Sequence, residues 1–254
     1  KSVPDFEHDL LSPLVDKVIK EDPDIIGFSQ CYASQLYFSL SLCKKIRQKI
    51  SCKTIFGGND VSRHPEKLLR ICPDIVDYAI SGEGEKGLLM LLGLIKKGDH
   101  KDHDKLKDVA GLTFCSDDKI ISNPAGVIKD IGSIPSPDFS DLDLGSYFSP
   151  KKVLPVLTSR GCYWLRCAFC VHHSIYGETY RKRDIEDVVE EISAYYRQGI
   201  ELFYFADEML SARRLEKICT RIIEKGLKIS FRCLAKPTKD FDKQTLSLLS
   251  RAGC

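Results

Sequence analysis

The strongest constraint on this fold is a regular alternation of short apolar runs with amphipathic helical stretches. Asp24-Ile25-Ile26-Gly27-Phe28-Ser29 reads as a buried strand, Lys53-Thr54-Ile55-Phe56 as a second and Val76-Asp77-Tyr78-Ala79-Ile80 as a third. Helix-period patterns lie around them. Ser12-Pro13 reads as an N-cap and first helical position, followed by a stripe of Leu14, Val15, Val18 and Ile19. Ser34 reads as the cap of a helix that turns Leu36, Leu40, Cys43, Ile46 and Ile50 inward. A short helical stretch runs from Pro65 to Ile71, and a glycine turn at Gly82 leads into a helix through Leu88 to Ile95. Strands separated by helices in this way are joined by right-handed crossovers, which predicts a parallel sheet.

Between about residues 97 and 150 the rhythm breaks. Charges crowd Lys96 to Lys107, Gly111 to Phe114 and Ile120-Ile121 read as a small hairpin around Asp117-Asp118, and proline and aspartate dominate Ile131 to Asp143. That composition reads as a connecting segment. From Val153 the alternation resumes: strands over 153–158, 201–205 and 228–234, helices over 185–198, 212–225 and 243–252. Asp184, Ser211 and Asp242 stand where N-caps belong. A complete βα barrel has eight units of about 31 residues, so this stretch accommodates about three. The fold class is therefore α/β: a partial doubly wound (Rossmann-like) domain over 1–96, a linker with a small hairpin over 97–150, and the first half of a βα (partial TIM-type) barrel over 151–254. The chain reads as truncated at both ends, and the edge left by an incomplete barrel predicts self-association.

Composition excludes several classes. With 43% apolar and 29% charged residues in 254, the chain can fill a core and is not disordered. Thirty-eight Lys and Arg against 36 Asp and Glu leave a formal net charge of +2, too little for a general polyanion binder. No specific nucleic-acid partner is expected, and any basic site must be local. No apolar run is long enough to span a bilayer and no signal core opens the chain, so the expectation is a cytoplasmic protein without a membrane partner. Eleven cysteines, an odd number without secretory signals, argue against a disulfide framework.

Only Cys162, Cys167 and Cys170 cluster, in Ser159-Arg160-Gly161-Cys162-Tyr163-Trp164-Leu165-Arg166-Cys167-Ala168-Phe169-Cys170. The loop follows a barrel-type strand at its C-terminal end, where such folds place cofactors. Thiolates suit iron-sulfur clusters or zinc. Three ligands on a four-iron cubane leave one iron open to a small chelating ligand. The other reading is a zinc site with His172 or His173 as fourth ligand, in a zinc-stabilised α/β binding module without catalysis.

Gly161, Cys162, Cys167, Ala168, Phe169 and Cys170 resemble the signature loop of the radical S-adenosylmethionine enzymes, with four residues instead of the commoner three between the first two cysteines. The resemblance implies that Cys162, Cys167 and Cys170 hold a 4Fe-4S cluster that reductively cleaves S-adenosylmethionine to a 5′-deoxyadenosyl radical, with Phe169 beside the adenine. Asp207 and Glu208 end the next strand, at the position where that family contacts the amino group of S-adenosylmethionine. Arg181, Lys182 and Arg183 read as a solvated face ahead of the Asp184 cap.

Gly82-Glu83-Gly84-Glu85-Lys86-Gly87 matches a dinucleotide fingerprint as a pattern, but two glutamates in the turn would repel a pyrophosphate. The run Pro23 to Ser29, the Gly57-Gly58 pair and Gly82-Glu83-Gly84-Glu85 instead resemble the cobalamin-binding-type domain that precedes many radical S-adenosylmethionine domains. That resemblance implies that Ser29, Gly57, Gly58 and Gly82 admit the nucleotide tail of cobalamin, and that the reaction is methyl transfer or another radical modification of a small-molecule or peptide substrate.

Overall fold

A computed structural model describes residues 6–170, 176–177 and 179–254. It divides into two compact units, one ending at Val127 and the other beginning at Ile128.

The first unit runs α1 (Phe6–Glu21), β1 (Ile25–Ser29), α2 (Ala33–Arg47), β2 (Lys53–Gly57), α3 (Pro65–Ile71), β3 (Tyr78–Ile80), α4 (Gly84–Lys97), α5 (His103–Lys107), β4 (Leu112–Ser116) and β5 (Lys119–Ser122). The sheet order is β1-β2-β3-β4-β5. The first three strands are parallel, with Phe28 opposite Phe56 and their rings stacked at 4.6 Å. Strand alternation sends Ile55 and Ile80 to one core with Leu91 and Phe114, and Phe56 and Ala79 to another with Cys43 and Leu68. Fully burying side chains of this size contributes roughly 1.5–3 kcal/mol each. At the opposite end from the strand C-termini, Asp77 accepts from the Thr54 amide at 2.9 Å and pairs with Arg47 at 2.6 Å, tying the chain before β3 to β2.

Three local expectations are corrected. Helix α1 begins at Phe6 and carries Pro13 inside it; the buried pair Leu11 and Val15 extends the apolar stripe a turn earlier than the Ser12-Pro13 signal. Ser34 lies within α2, and the Gln35 side chain accepts from the Cys31 and Tyr32 amides at 2.8 and 3.0 Å instead. The hairpin assigned to the linker is β4-β5, which joins the first sheet antiparallel to β3. Burial of Leu112, Thr113 and Phe114 drives that pairing.

The second unit contains β6 (Val153–Val156), β7 (Ser159–Arg160), β8 (Arg181–Lys182), α6 (Ile185–Arg197), β9 (Leu202–Phe205), α7 (Ala212–Glu224), β10 (Ser230–Arg232) and α8 (Lys243–Arg251). Strands β6, β9 and β10 form a parallel sheet in that spatial order. Leu154, Val156, Phe203, Phe205 and Phe231 pack on Val188, Ile192, Leu215, Ile218 and Ile222 from the helices. The expected caps form: Asp184 accepts from the Glu186 amide at 2.8 Å, Ser211 from that of Arg214 at 3.4 Å and Asp242 from that of Gln244 at 2.9 Å. On the other face Val153 and Pro155 are exposed, and the Arg232 guanidinium lies 4.5 Å from the Tyr204 ring centre. Helices outside and an uncovered inner face are what three units of a βα barrel look like.

Residues 128–150 are a strap on this unit, not a free spacer. Ser136 donates to Glu191 at 2.6 Å, Tyr195 donates to the Pro137 carbonyl at 2.6 Å, and Phe139 and Leu144 pack against the core. Among the described residues no helix is long and apolar enough to cross a membrane.

Candidate functional site

The cysteine loop leaves the C-terminal end of β6. Gly161 has φ +80°, and a Cβ there would stand 1.9 Å from the Thr179 carbonyl oxygen, so only glycine lets the two ends of the loop approach. Cys162 is buried at 8% exposure, while Cys167 and Cys170 are half-buried. The Trp164 amide lies 3.4 Å from the Cys162 sulfur, and Cys170 donates to the Cys167 carbonyl at 3.0 Å, closing a turn. Leu165, between the first two cysteines, takes a left-handed φ of +50°. Phe169 is 88% exposed. Lys236, just beyond β10, places its Nζ 2.8 Å from the centre of the Trp164 ring.

Among the described residues no three His, Cys, Asp or Glu side chains lie close enough together to hold a metal ion, so the structure does not bring the sulfurs of Cys162, Cys167 and Cys170 to a common point. The donor chemistry nonetheless fits a cluster: three soft thiols lie within nine positions of one loop. His172 and His173 lie outside the described residues.

Asp207 ends β9 beside this loop, but it faces inward. Its carboxylate is 1% exposed and accepts from the Thr158 amide at 3.0 Å, the Thr158 hydroxyl at 2.8 Å and the Ser159 hydroxyl. Burial raises its pKa above the ordinary carboxylate value, opposed by the bonds from Ser159 and Thr158 and by Arg214. In this structure Asp207 therefore latches β9 to β6, and of the two acids only half-buried Glu208 keeps surface at the rim. Of the expected solvated face Arg181 to Arg183, only Lys182 is exposed. Arg181 donates to the Ile128 carbonyl at 2.6 Å, and Arg183 pairs with the buried Glu191 at 2.7 Å.

In the first unit the C-terminal rim of β1, β2 and β3 gathers the other expected residues. Ser29 is exposed at the end of β1. The Gln30 amide donates to the Gly57 carbonyl at 2.7 Å, and Gly58, at φ +98°, would place a Cβ 2.5 Å from the Gln30 carbonyl oxygen. The Gly82 amide donates to Ser62 at 2.9 Å, and Ser62 donates to the Gly58 carbonyl at 2.8 Å. Sequence reasoning missed Gln30, 2% exposed, whose Oε1 has no hydrogen-bond partner among the described residues; the Ser81 hydroxyl is likewise shielded and unpaired among them. Buried polar atoms without partners are uncommon, and here they lie at the rim where a ligand would satisfy them. The signal was available: a glutamine directly after an apolar strand.

The chain thus carries a parallel α/β sheet with an open polar rim, followed in sequence by the first units of a βα barrel bearing a three-cysteine loop. Residues 4–92 match the B12 binding domain family. An uncharacterised methyltransferase of Pyrococcus horikoshii is 29% identical over all of this chain and 55% of its own length. Among solved structures, the radical S-adenosylmethionine methyltransferase TsrM from Kitasatospora setae superposes with a TM-score of 0.77 at 21% identity, over 98% of this chain and 50% of that one. The cobalamin-dependent S-adenosylmethionine radical enzyme OxsB, with aqua-cobalamin bound, gives 0.76 at 23% identity over 98% and 37%. These structures share the fold, and the chain spans about half the length of the Pyrococcus relative and of TsrM.

Proposed function

We propose that this chain is the cobalamin- and cluster-binding portion of a radical S-adenosylmethionine methyltransferase. The observation that carries the reading is the presence, in one chain, of a B12 binding domain and a three-cysteine loop at the C-terminal end of the following domain's first strand. A cluster held there supplies the electron that cleaves S-adenosylmethionine. Cys162, Cys167 and Cys170 are its ligands, Gly161 and the Asp207 latch fix where their loop leaves the sheet, and Phe169 offers an exposed ring for the adenine. Glu208 stands where an ammonium group would be met by a charge-assisted bond. Ser29, Gln30, Gly57, Gly58 and Gly82 form the rim for the cobalamin nucleotide tail. Relatives with bound tryptophan or cobalamin support a small-molecule substrate and the cobalamin assignment.

Anaerobic reconstitution with iron and sulfide tests this. The expected result is a brown chain with about four irons and a charge-transfer absorbance, lost when Cys162, Cys167 or Cys170 is replaced by Ala. A colourless chain that retains zinc under the same treatment would overturn the proposal.

A further inference from the structure

A formal net charge of +2 means that an anion site must be built locally, and one place in the second unit concentrates cations. A cavity of about 510 Å³ lies at the first turns of α6 and α7, lined by Lys182, Arg183, Arg213, Arg214, Lys217 and Tyr180. Its one carboxylate, Asp184, is engaged in capping α6. Arg183 is paired with the buried Glu191, which leaves four cationic side chains against Asp184.

Two of the cations are set in place by the fold. Arg183 pairs with Glu191, and its Nη1 donates to the Leu157 carbonyl at 2.9 Å. Arg214 is buried, and it donates to the Thr158 hydroxyl at 3.0 Å and to the carbonyls of Thr158 and Arg183 at 2.6 and 2.9 Å. All three of those acceptors are neutral. Lys182, Arg213 and Lys217 form no ion pair among the described residues. Helices α6 and α7 both begin at the cavity, so their positive ends add to the same field.

We propose that this cavity binds a phosphate-bearing small molecule with at least two negative charges, a phosphate ester or pyrophosphate. Beyond the Arg183–Glu191 pair, four cations exceed what a single carboxylate would draw together, and arginine forks match phosphate oxygens. The volume exceeds one phosphate group and falls in the range of small-molecule pockets, leaving room for the body that the phosphate is attached to. Because β8 pairs with β7 and β7 runs directly into Gly161-Cys162, a ligand held by Lys182 also steadies the base of the cysteine loop.

The site does not depend on the cluster reading, and its test needs no iron, cobalamin or S-adenosylmethionine. Calorimetric titration of the full chain with inorganic pyrophosphate, and separately with ADP, is expected to give one saturable site at low salt that weakens toward physiological salt. Arg213→Gln with Lys217→Gln, both exposed, is expected to weaken binding at least about tenfold while the melting temperature stays unchanged. Lys96→Gln, in the other unit, is expected to leave affinity intact. No saturable binding of either anion, equal weakening by Lys96→Gln, or binding only of an acidic protein would each overturn the proposal.

Discussion

Asp207, just past β9, accepts both the amide and the hydroxyl of Thr158, which stands two residues past the end of β6. The Thr158 hydroxyl in turn accepts from Arg214, so one residue joins two strand ends to α7. Asp207→Ala leaves that amide and two hydroxyls buried without their acceptor, and is expected to cost about 2–4 kcal/mol in urea unfolding. Burial raises the Asp207 pKa, so the folded state holds its proton at a pH where the unfolded chain has lost it. Stability therefore falls as pH rises from the ordinary carboxylate value through the raised one, and is level above it. Acidifying from neutral into that window is expected to raise the urea midpoint of the wild type relative to Asp207→Asn. Parallel midpoints in the two proteins would show that the carboxylate titrates normally.

Gly161 and Gly199 separate two costs of a positive φ. Both are left-handed, at +80° and +85°, but a Cβ at Gly199 meets nothing within 4 Å while one at Gly161 strikes the Thr179 carbonyl. Gly199→Ala is expected to cost only the backbone penalty, about 1–2 kcal/mol. Gly161→Ala must also push the two ends of the cysteine loop apart, so its expected mark is a steep fall in iron incorporation at a larger stability loss. Equal effects of the two substitutions on iron loading would remove Gly161 from the site.

Periodicity made the strands and helices of both units legible, and α3 falls on its expected residues from Pro65 to Ile71. What it could not carry was partnership between distant segments. The pattern at Gly111 to Phe114 says strand, but only burial against β3 makes β4 a sheet member and not a linker hairpin. Asp207 likewise read as a rim acid because spacing says which strand end holds a carboxylate, not which way it turns. Its direction is decided by the donors of Thr158 and Ser159, some fifty positions earlier. The cysteine loop stood out because its three thiols are local in sequence, whereas Gln30 was passed over because its meaning lies in a missing partner.

Trp164 is the chain's single tryptophan and sits within the cysteine loop, so its emission reports on that loop alone. The Lys236 ammonium over its ring contributes about 0.5–2 kcal/mol where the pair is partly desolvated. Lys236→Met keeps the apolar stem and removes the charge. The expected outcome is a shifted emission maximum and easier quenching by acrylamide, with little change in the global unfolding midpoint. An unchanged spectrum would mean that Lys236 does not hold the loop.

Gln30 offers a substitution whose effects on stability and on binding should point in opposite directions. Its Oε1 is buried without a partner, a cost the ligand-free chain bears, while its Nε2 reaches Ser39. Ser39 also donates to the Gln35 carbonyl at 3.0 Å, so it is not stranded when Gln30 changes. Gln30→Met preserves volume and removes the unpaired acceptor, so the ligand-free protein is expected to melt at the same temperature or up to about 1 kcal/mol more stably. If that oxygen faces the cobalamin tail, the same variant loses a hydrogen bond to it, and a spectrophotometric titration with hydroxocobalamin should show affinity reduced by about tenfold. A variant that melts lower yet binds cobalamin as tightly as the wild type would place the Gln30 side chain in the scaffold and not at the ligand.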